Sequence, residues 1–336
     1  MTTDNTTQSP YFLALDVLED EASYDQLQEY QATTTPQLYL NNTKMARVMK
    51  RERYEFNELI TVGIGGQLKD TEGNQRAGQV AFAIYPPQEA GTEPRELDGE
   101  DFHIYDIVST LVLAGNNFLT ASMIDRAMNG VTGTKQVTET RQREIRERLE
   151  YMQKVQAEYK FGEHFTLNRI DNPAMLAELD KAPFLNFIKG KAKINGALVE
   201  GYFFPSVPVL HQYASTVKQV ISIENRLLNL NHEDAEPDHR ASNTRDRRLV
   251  NIFVIEQIRH MKQSTKRSRS ITLSSIFQEL ERVHGKALTP KMRRSTQENL
   301  KSVILPQLVD KGEIKAFEIA YHKISGKNDT KIKITL

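Results

Sequence analysis

Residues 119–128, LTASMIDRAM, and residues 271–280, ITLSSIFQEL, align without a gap, placing Thr120 over Thr272, Ser122 over Ser274, Ile124 over Ile276 and Met128 over Leu280. Each threonine stands where its hydroxyl can accept an orphan N–H at a helix start. Each stretch follows an apolar helical run, Ile104–Leu113 or Leu249–Met261, and precedes a charged helical run and then strand-like segments. The ten matched positions constrain little by themselves. The repeated order of elements constrains much more, because the chain has to solve the same packing problem twice.

Residues 1–36 read as an acidic arm with one short helical stretch around Asp16–Tyr30. β-Branched and aromatic residues then mark strands at ELITVGIGG (58–66) and GQVAFAIYPP (78–87), with KDTEGNQRA as a turn-rich connector. The Pro-containing PPQEAGTEPRELDGED (86–101) reads as a loop. In the first copy TETRQREIRERLEYMQ supplies a third helix, and KVQAEYKF (154–161), FLNFIKGKAKI (184–194) and ALVEGYFF (197–204) supply strands, with Asn195-Gly196 as a hairpin turn. NHEDAEPDHRASNTRDRR (231–248) has the composition of a linker. The second copy runs RRLVNIFVIEQIRHMK, TLSSIFQELERVHG and TPKMRRSTQENLKSVILPQLVDKGEI (289–314), then a hairpin of IKAFEIAYHK and TKIKITL around SGKND. Helix–helix–helix–hairpin, twice, is the order of tandem winged helices. The expected fold is α+β, with two winged-helix units and an extra N-terminal strand-containing segment. The expected domains are an arm at 1–36, an N-terminal domain at 37–230 holding the first unit over about 98–204, a linker at 231–246 and a C-terminal DNA-binding domain at 247–336.

The formal net charge is zero, but the charge is segregated. Residues 1–40 hold seven acidic residues and no Lys or Arg, whereas residues 240–336 hold 21 Lys or Arg against 9 Asp or Glu. A basic domain of this kind is suited to a polyanion, the alternative being a chance bias of solvated surface. The chain has no cysteine, which removes disulfides, thiolate chemistry and Cys-ligated zinc and fits an intracellular protein. No apolar run approaches the ~20 residues of a membrane span. The opening MTTDNTTQSP has no secretory pattern, so no membrane partner and a cytoplasmic location are expected.

The third helix of the second copy starts at Thr289-Pro290, an N-cap with proline at N1. Met292, Thr296, Leu300, Val303 and Ile304 form its apolar stripe, and Lys291, Arg294 and Lys301 fall roughly opposite, with Gln297 beside them. Lys and Arg reach phosphates or guanine edges, and Gln pairs with adenine, so this is the residue mix of a recognition helix. A merely solvated face is the alternative. Pro306 removes an N–H and crowds the preceding turn, so the helix is expected to kink or end near Ile304–Leu305. Two further basic clusters fall on segments that a winged helix turns toward the same duplex: Lys266, Arg267 and Arg269 before the second helix, and Lys323, Lys327, Lys331 and Lys333 on the hairpin. In the first copy, Arg143, Glu147 and Glu150 share an outer face with balanced charge, leaving Lys135, Thr140, Arg141 and Arg143 as its DNA-facing candidates, with dimerisation or scaffolding as the other reading.

Enzyme signals are scarce. GIGG (63–66) follows a strand without GxGxxG and reads as a turn or bulge, and there is no Walker A motif. HEDAEPDH (232–239) sits in a Pro-containing linker and reads as solvated rather than metal-binding. No cofactor is expected, and no catalytic activity.

HIYDIVSTLVLAGNNFLTASMIDRAMNG (103–130) and the unit from Arg247 to Leu336 resemble the tandem winged-helix replication initiator (Rep) proteins of plasmids and related mobile elements. The resemblance implies a C-terminal unit whose third helix reads a repeated origin site in the major groove. It also implies an N-terminal unit that contacts phosphates and forms a homodimer, and recruitment of host replication proteins. Carried onto this chain, it assigns base reading to Arg293, Arg294 and Gln297 and phosphate contact to the hairpin lysines. The other readings of the sequence are a transcriptional repressor of a mobile element and, outside DNA binding, a protein-interaction factor working through the acidic arm.

Overall fold

The computed structural model describes residues 13–14, 29–51, 54–131, 136–170, 178–263, 269–324 and 327–336. Its architecture is α+β, with helices set against four antiparallel sheets. The chain begins with β1 (Leu13–Ala14), β2 (Gln37–Asn41) and α1 (Lys44–Arg51), then a long hairpin of β3 (Ile60–Lys69) and β4 (Gln75–Tyr85). At the tip Asp70 Oδ1 accepts the N–H groups of Glu72 and Asn74. The register shifts between Gly63 and Gln67, so the GIGG cluster is a bulge. The helical stretch expected at Asp16–Tyr30 lies outside the described residues apart from Glu29 and Tyr30.

The first repeat opens with α2 (Gly99–Leu113), which starts inside the segment expected to be loop. Asp98 makes a capping box: its carboxylate accepts the N–H groups of Glu100 and Asp101, and the Asp101 carboxylate accepts the N–H of Asp98. Next come β5 (Phe118–Leu119), α3 (Ala121–Met128) and α4 (Glu139–Lys154), with Thr120 capping α3 through the Met123 N–H at 3.1 Å. β6 (Gln156–Lys160), α5 (Gly162–Leu167) and β7 (Glu178–Pro183) intervene before the hairpin of β8 (Ile188–Ile194) and β9 (Ala197–Phe203). That hairpin turns at Asn195 and Gly196, both at positive φ. β9 pairs with β5 on one side and with β8 on the other, and β1 pairs with the far edge of β8. The strands β3-β4-β6-β7 form a separate sheet in that order. β6 and β7 are thus an insertion between the third helix and the hairpin, a union of distant segments that strand patterning does not reveal. α6 (Val209–Thr216), β10 (Val220–Glu224) and α7 (Asn225–Leu228) complete this half, with β10 pairing back to β2.

The second repeat has the same order: α8 (Arg245–Gln263), β11 (Ser270–Thr272), α9 (Leu273–His284), a long helical run, and the hairpin of β12 (Ala316–Ile324) and β13 (Lys327–Thr335). β11 pairs with β13, the second strand of the hairpin, as β5 does with β9. Thr272 caps α9 through the Ser275 N–H, matching Thr120. The helical run is α10 (Pro290–Asn299), a π turn over Leu300–Ile304 and α11 (Leu305–Asp310). Of the two outcomes expected near Ile304–Leu305, a kink or an end, the end is not seen: the α-helix is interrupted there by the π turn and then resumes. The wider turn lets the Leu305 N–H bond the Leu300 carbonyl, and the helix passes Pro306, which has no N–H to place. The span read as a linker is fastened to this run. Gln307 Nε2 donates to the carbonyls of Leu230 and His239, both at 2.7 Å, and Lys311 Nζ donates to the Asn229 carbonyl at 2.9 Å.

The two repeats share one apolar core. At its centre lie α2, buried without a break from Glu100 to Leu111, and α8, buried without a break from Arg248 to Ile255. A helix buried on every side has to be covered on every side, and each covers the other's repeat as well as its own. No helix among the described residues is long and apolar enough to cross a membrane.

Candidate nucleic-acid interface

α10 turns Thr296, and beyond it Leu300, Val303 and Ile304, into the core. Lys291, Arg293, Arg294, Gln297 and Lys301 are exposed on the rest of its surface. Among the described residues no carboxylate lies within ion-pair distance of Lys291, Arg294 or Lys301, so their charge is open to an external anion. Arg293 is placed differently. Its Nη2 lies 2.7 Å from Glu281 Oε1 on α9, and its guanidinium sits over the Phe277 ring at 5.3 Å. The Glu281 carboxyl is held below its ordinary range by the Leu288 N–H and then by Arg293. Arg293 is therefore partly tied back, whereas Arg294 and Gln297 are free to reach outward.

On the hairpin, Ile332 and Ile334 are buried, so Lys331 and Lys333 occupy the opposite face of β13. Lys331 is half-buried, and Lys333 is exposed with Glu318 Oε2 at 3.2 Å from its Nζ. Lys323 lies on β12 and Lys327 on β13, at the turn end of the hairpin. Arg269 is exposed, and its carbonyl accepts the Ile334 N–H at 2.8 Å, which sets it at the start of β11 beside the hairpin. Lys266 and Arg267, like Lys135 in the first repeat, lie outside the described residues.

The first repeat presents a different surface. Thr140 is exposed at the start of α4, and Arg143 is exposed with Glu147 at 3.9 Å. Arg146 pairs with Glu139, and Lys189 on β8 pairs with Glu150 at 2.8 Å. Cations paired in this way present a weaker field to a phosphate than the unpaired cations of α10. Arg141, read as a DNA-facing residue, points the other way: it lies 2.9 Å from each of Glu100, Asp125 and Glu144 and is mostly buried.

Arg141 belongs to a cluster that sequence reasoning missed. Glu100, at the second position of α2, is almost fully buried and faces four arginines. Its Oε1 meets Arg141 Nη2 of α4 at 2.9 Å and Arg248 Nη2 of α8 at 2.8 Å. Its Oε2 meets Arg148 Nη2 of α4 at 3.4 Å and Arg245 Nε of α8 at 2.5 Å. The contact with Arg248 is an aligned hydrogen bond, and the approach of Arg245 Nε is an ion contact off the N–H axis. Burial opposes charge on Glu100, but Arg148, Arg141, Arg248 and Arg245 outweigh it and hold the carboxyl near 2. Arg148 also bonds Asp98 and Asp101, at 2.9 and 2.7 Å. A second, smaller cluster of three charged groups lies nearby: Lys50 reaches Asp106 at 2.8 Å and Glu256 at 3.4 Å. The sequence carries the ingredients, acidic residues in LDGED and arginines in RQREIRER and RDRR. It carries no signal that pairs them, since the partners come from three separated helices.

No protein-family model and no curated protein matches the chain. Among solved structures, weak similarity is found to two of RctB. One is the crystal structure of RctB domains 2-3 (RctB-155-483), with a TM-score of 0.38 and 11% identity, covering 85% of this chain and 94% of that one. The other is the selenomethionine derivative of domains 2 and 3 of RctB, with a TM-score of 0.35 and 12% identity, covering 87% and 95%. A likeness of that degree carries no argument about function.

Proposed function

We propose that this chain is a non-enzymatic, sequence-specific double-stranded DNA-binding protein, a replication initiator of a plasmid, phage or integrated element that binds repeated origin sites. In this reading each repeat is a winged helix. The C-terminal unit reads bases through Arg294 and Gln297, with Arg293 in support, and contacts phosphates through Lys291, Lys301, Arg269 and the hairpin lysines. The N-terminal unit adds phosphate contacts from Thr140 and Arg143 and a homodimer surface, and host replication proteins are further partners. The observation that carries the reading is the free charge of Lys291, Arg294 and Lys301 on the outward side of a helix whose inward side is locked into the core.

The test is duplex binding as a function of salt, on sequences enriched by the protein from a random duplex pool. Each phosphate-contacting cation releases a counterion, so log affinity should fall linearly with log salt. Arg294→Ala should weaken the selected site by about 1–3 kcal/mol and relax preference at one position. Absence of duplex binding at low salt would overturn the proposal, and enrichment of one palindrome rather than direct repeats would replace initiation by repression.

A further inference from the structure

Glu100 is the point at which most charged groups from the two repeats meet, beside the Lys50 contacts to Asp106 and Glu256. Each of its two oxygens takes one guanidinium from α4, the third helix of the first repeat, and one from α8, the first helix of the second. The apolar core also joins the repeats, but hydrophobic burial has no direction and tolerates sliding. Charge-assisted contacts to a planar fork do have direction. Arg247, immediately before Arg248 on α8, makes a further contact, its Nε donating to Asn299 Oδ1 at 2.8 Å, at the end of α10. Polar contacts thus tie α4 to α8 through Glu100, and a separate one from Arg247 ties α8 to α10.

We propose that Glu100 is a positioning residue that sets the separation and angle between α4 and α10, and through them the spacing of the DNA site that the whole chain accepts. The spacing half of this inference rests on the DNA-binding reading above; the geometric half does not. Glu100 touches no DNA. It acts through Arg141, Arg148, Arg245 and Arg248, which explains why Arg141, read as DNA-facing, is turned inward. An exposed carboxylate partner would be screened by water, whereas this one is almost fully buried, so the arrangement persists at the salt concentrations used for DNA binding.

The chain has no cysteine, so two can be introduced without interference. Glu147→Cys on α4 and Ser302→Cys in the π turn beyond α10 are both exposed positions for spin labels. Pulsed-EPR distances in the free full-length chain should show one narrow separation. Glu100→Gln should broaden it or add a second. Arg245→Gln, at the most exposed of the four arginines, should do the same to a smaller degree and decides the matter if Glu100→Gln does not fold. Unchanged, narrow distributions in the variants that fold would overturn the inference. The same proteins are then tested on duplexes selected by the parent chain and rebuilt with one to four base pairs inserted centrally. The parent should lose about tenfold in affinity per misplaced step, and the variants about threefold or less. That ratio is insensitive to the folded fraction, so simple destabilisation does not move it. Equal spacing preference in parent and variants would overturn the positioning role. If the parent selects no duplex, the DNA reading falls while the distance measurement still decides the geometry.

Discussion

Arg294 and Arg141 are both arginines on the third helix of their repeat, one open to solvent and the other enclosed by three carboxylates. Local pattern cannot separate them, because what decides is the partner, and Glu100 lies on another helix. The same partner gives Glu100 a measurable signature. Its carboxyl is near 2 in the folded chain against an ordinary 4.5, so the stability it contributes is complete above pH 4.5 and is lost as pH falls toward 2. The shift corresponds to something on the order of 3 kcal/mol. Glu100→Gln leaves the buried Arg248 without its carboxylate, while Arg141 keeps Asp125 and Glu144, Arg148 keeps Asp98 and Asp101, and Arg245 keeps Asp98. It should cost about 3–5 kcal/mol at neutral pH. The gap between parent and variant, read by urea denaturation, should close as pH is lowered from 4.5 toward 2. A gap that stays constant through that window would show that the four arginines do not stabilise the ionised form.

At the scale of elements, the features legible in the sequence were those that depend on neighbours in the chain. Thr120, Thr272 and Thr289 cap their helices, and Asn195-Gly196 turns its hairpin, because these effects act over three or four residues. Pro306 was read correctly as an obstacle but not as one that a π turn could absorb, since the outcome depends on how firmly Leu300, Ile304 and Leu305 are held in the core. The insertion of β6 and β7 into the first repeat was illegible because its sheet is completed by β3 and β4, from before the repeat begins. The closure of β5 on β9 is also non-local, and it depends on Gly201. A Cβ at that position would lie 2.6 Å from the Phe118 ring and 2.7 Å from the Leu119 carbonyl. The carbonyl is backbone and cannot swing away as a side-chain tip could. Gly201→Ala should therefore destabilise the chain by about 1–3 kcal/mol, the usual cost of overpacking, and loosen β5. Thermal denaturation measures the first effect, and faster amide exchange at Phe118 and Leu119 the second. An unchanged melting temperature would mean that the strand pairing is not as close as described.

At the scale of the whole molecule, α8 is both the first helix of the second repeat and a central element of the shared core. Leu249, Ile252 and Phe253 border the same small cavity as Leu40, His103 and Asp106 from the other half. Asn251 Nδ2 donates to the Leu227 carbonyl at 2.8 Å, and Glu256 faces Lys50. A fragment of residues 245–336 would keep every element of the second repeat but expose this face. Re-exposing three large apolar side chains forfeits roughly 1.5–3 kcal/mol each, or about 5–9 kcal/mol together. That is comparable to the total stability of an ordinary domain, about 5–15 kcal/mol. The buried Arg248 would also lose Glu100. The fragment should therefore show no cooperative melt, or one far below that of the full chain, while the full chain unfolds in a single transition. Circular dichroism and calorimetry of both proteins test this. A fragment melting at the temperature of the full chain would mean that the second repeat carries its own core, and that the contacts at Glu100 and α8 join two bodies already stable apart.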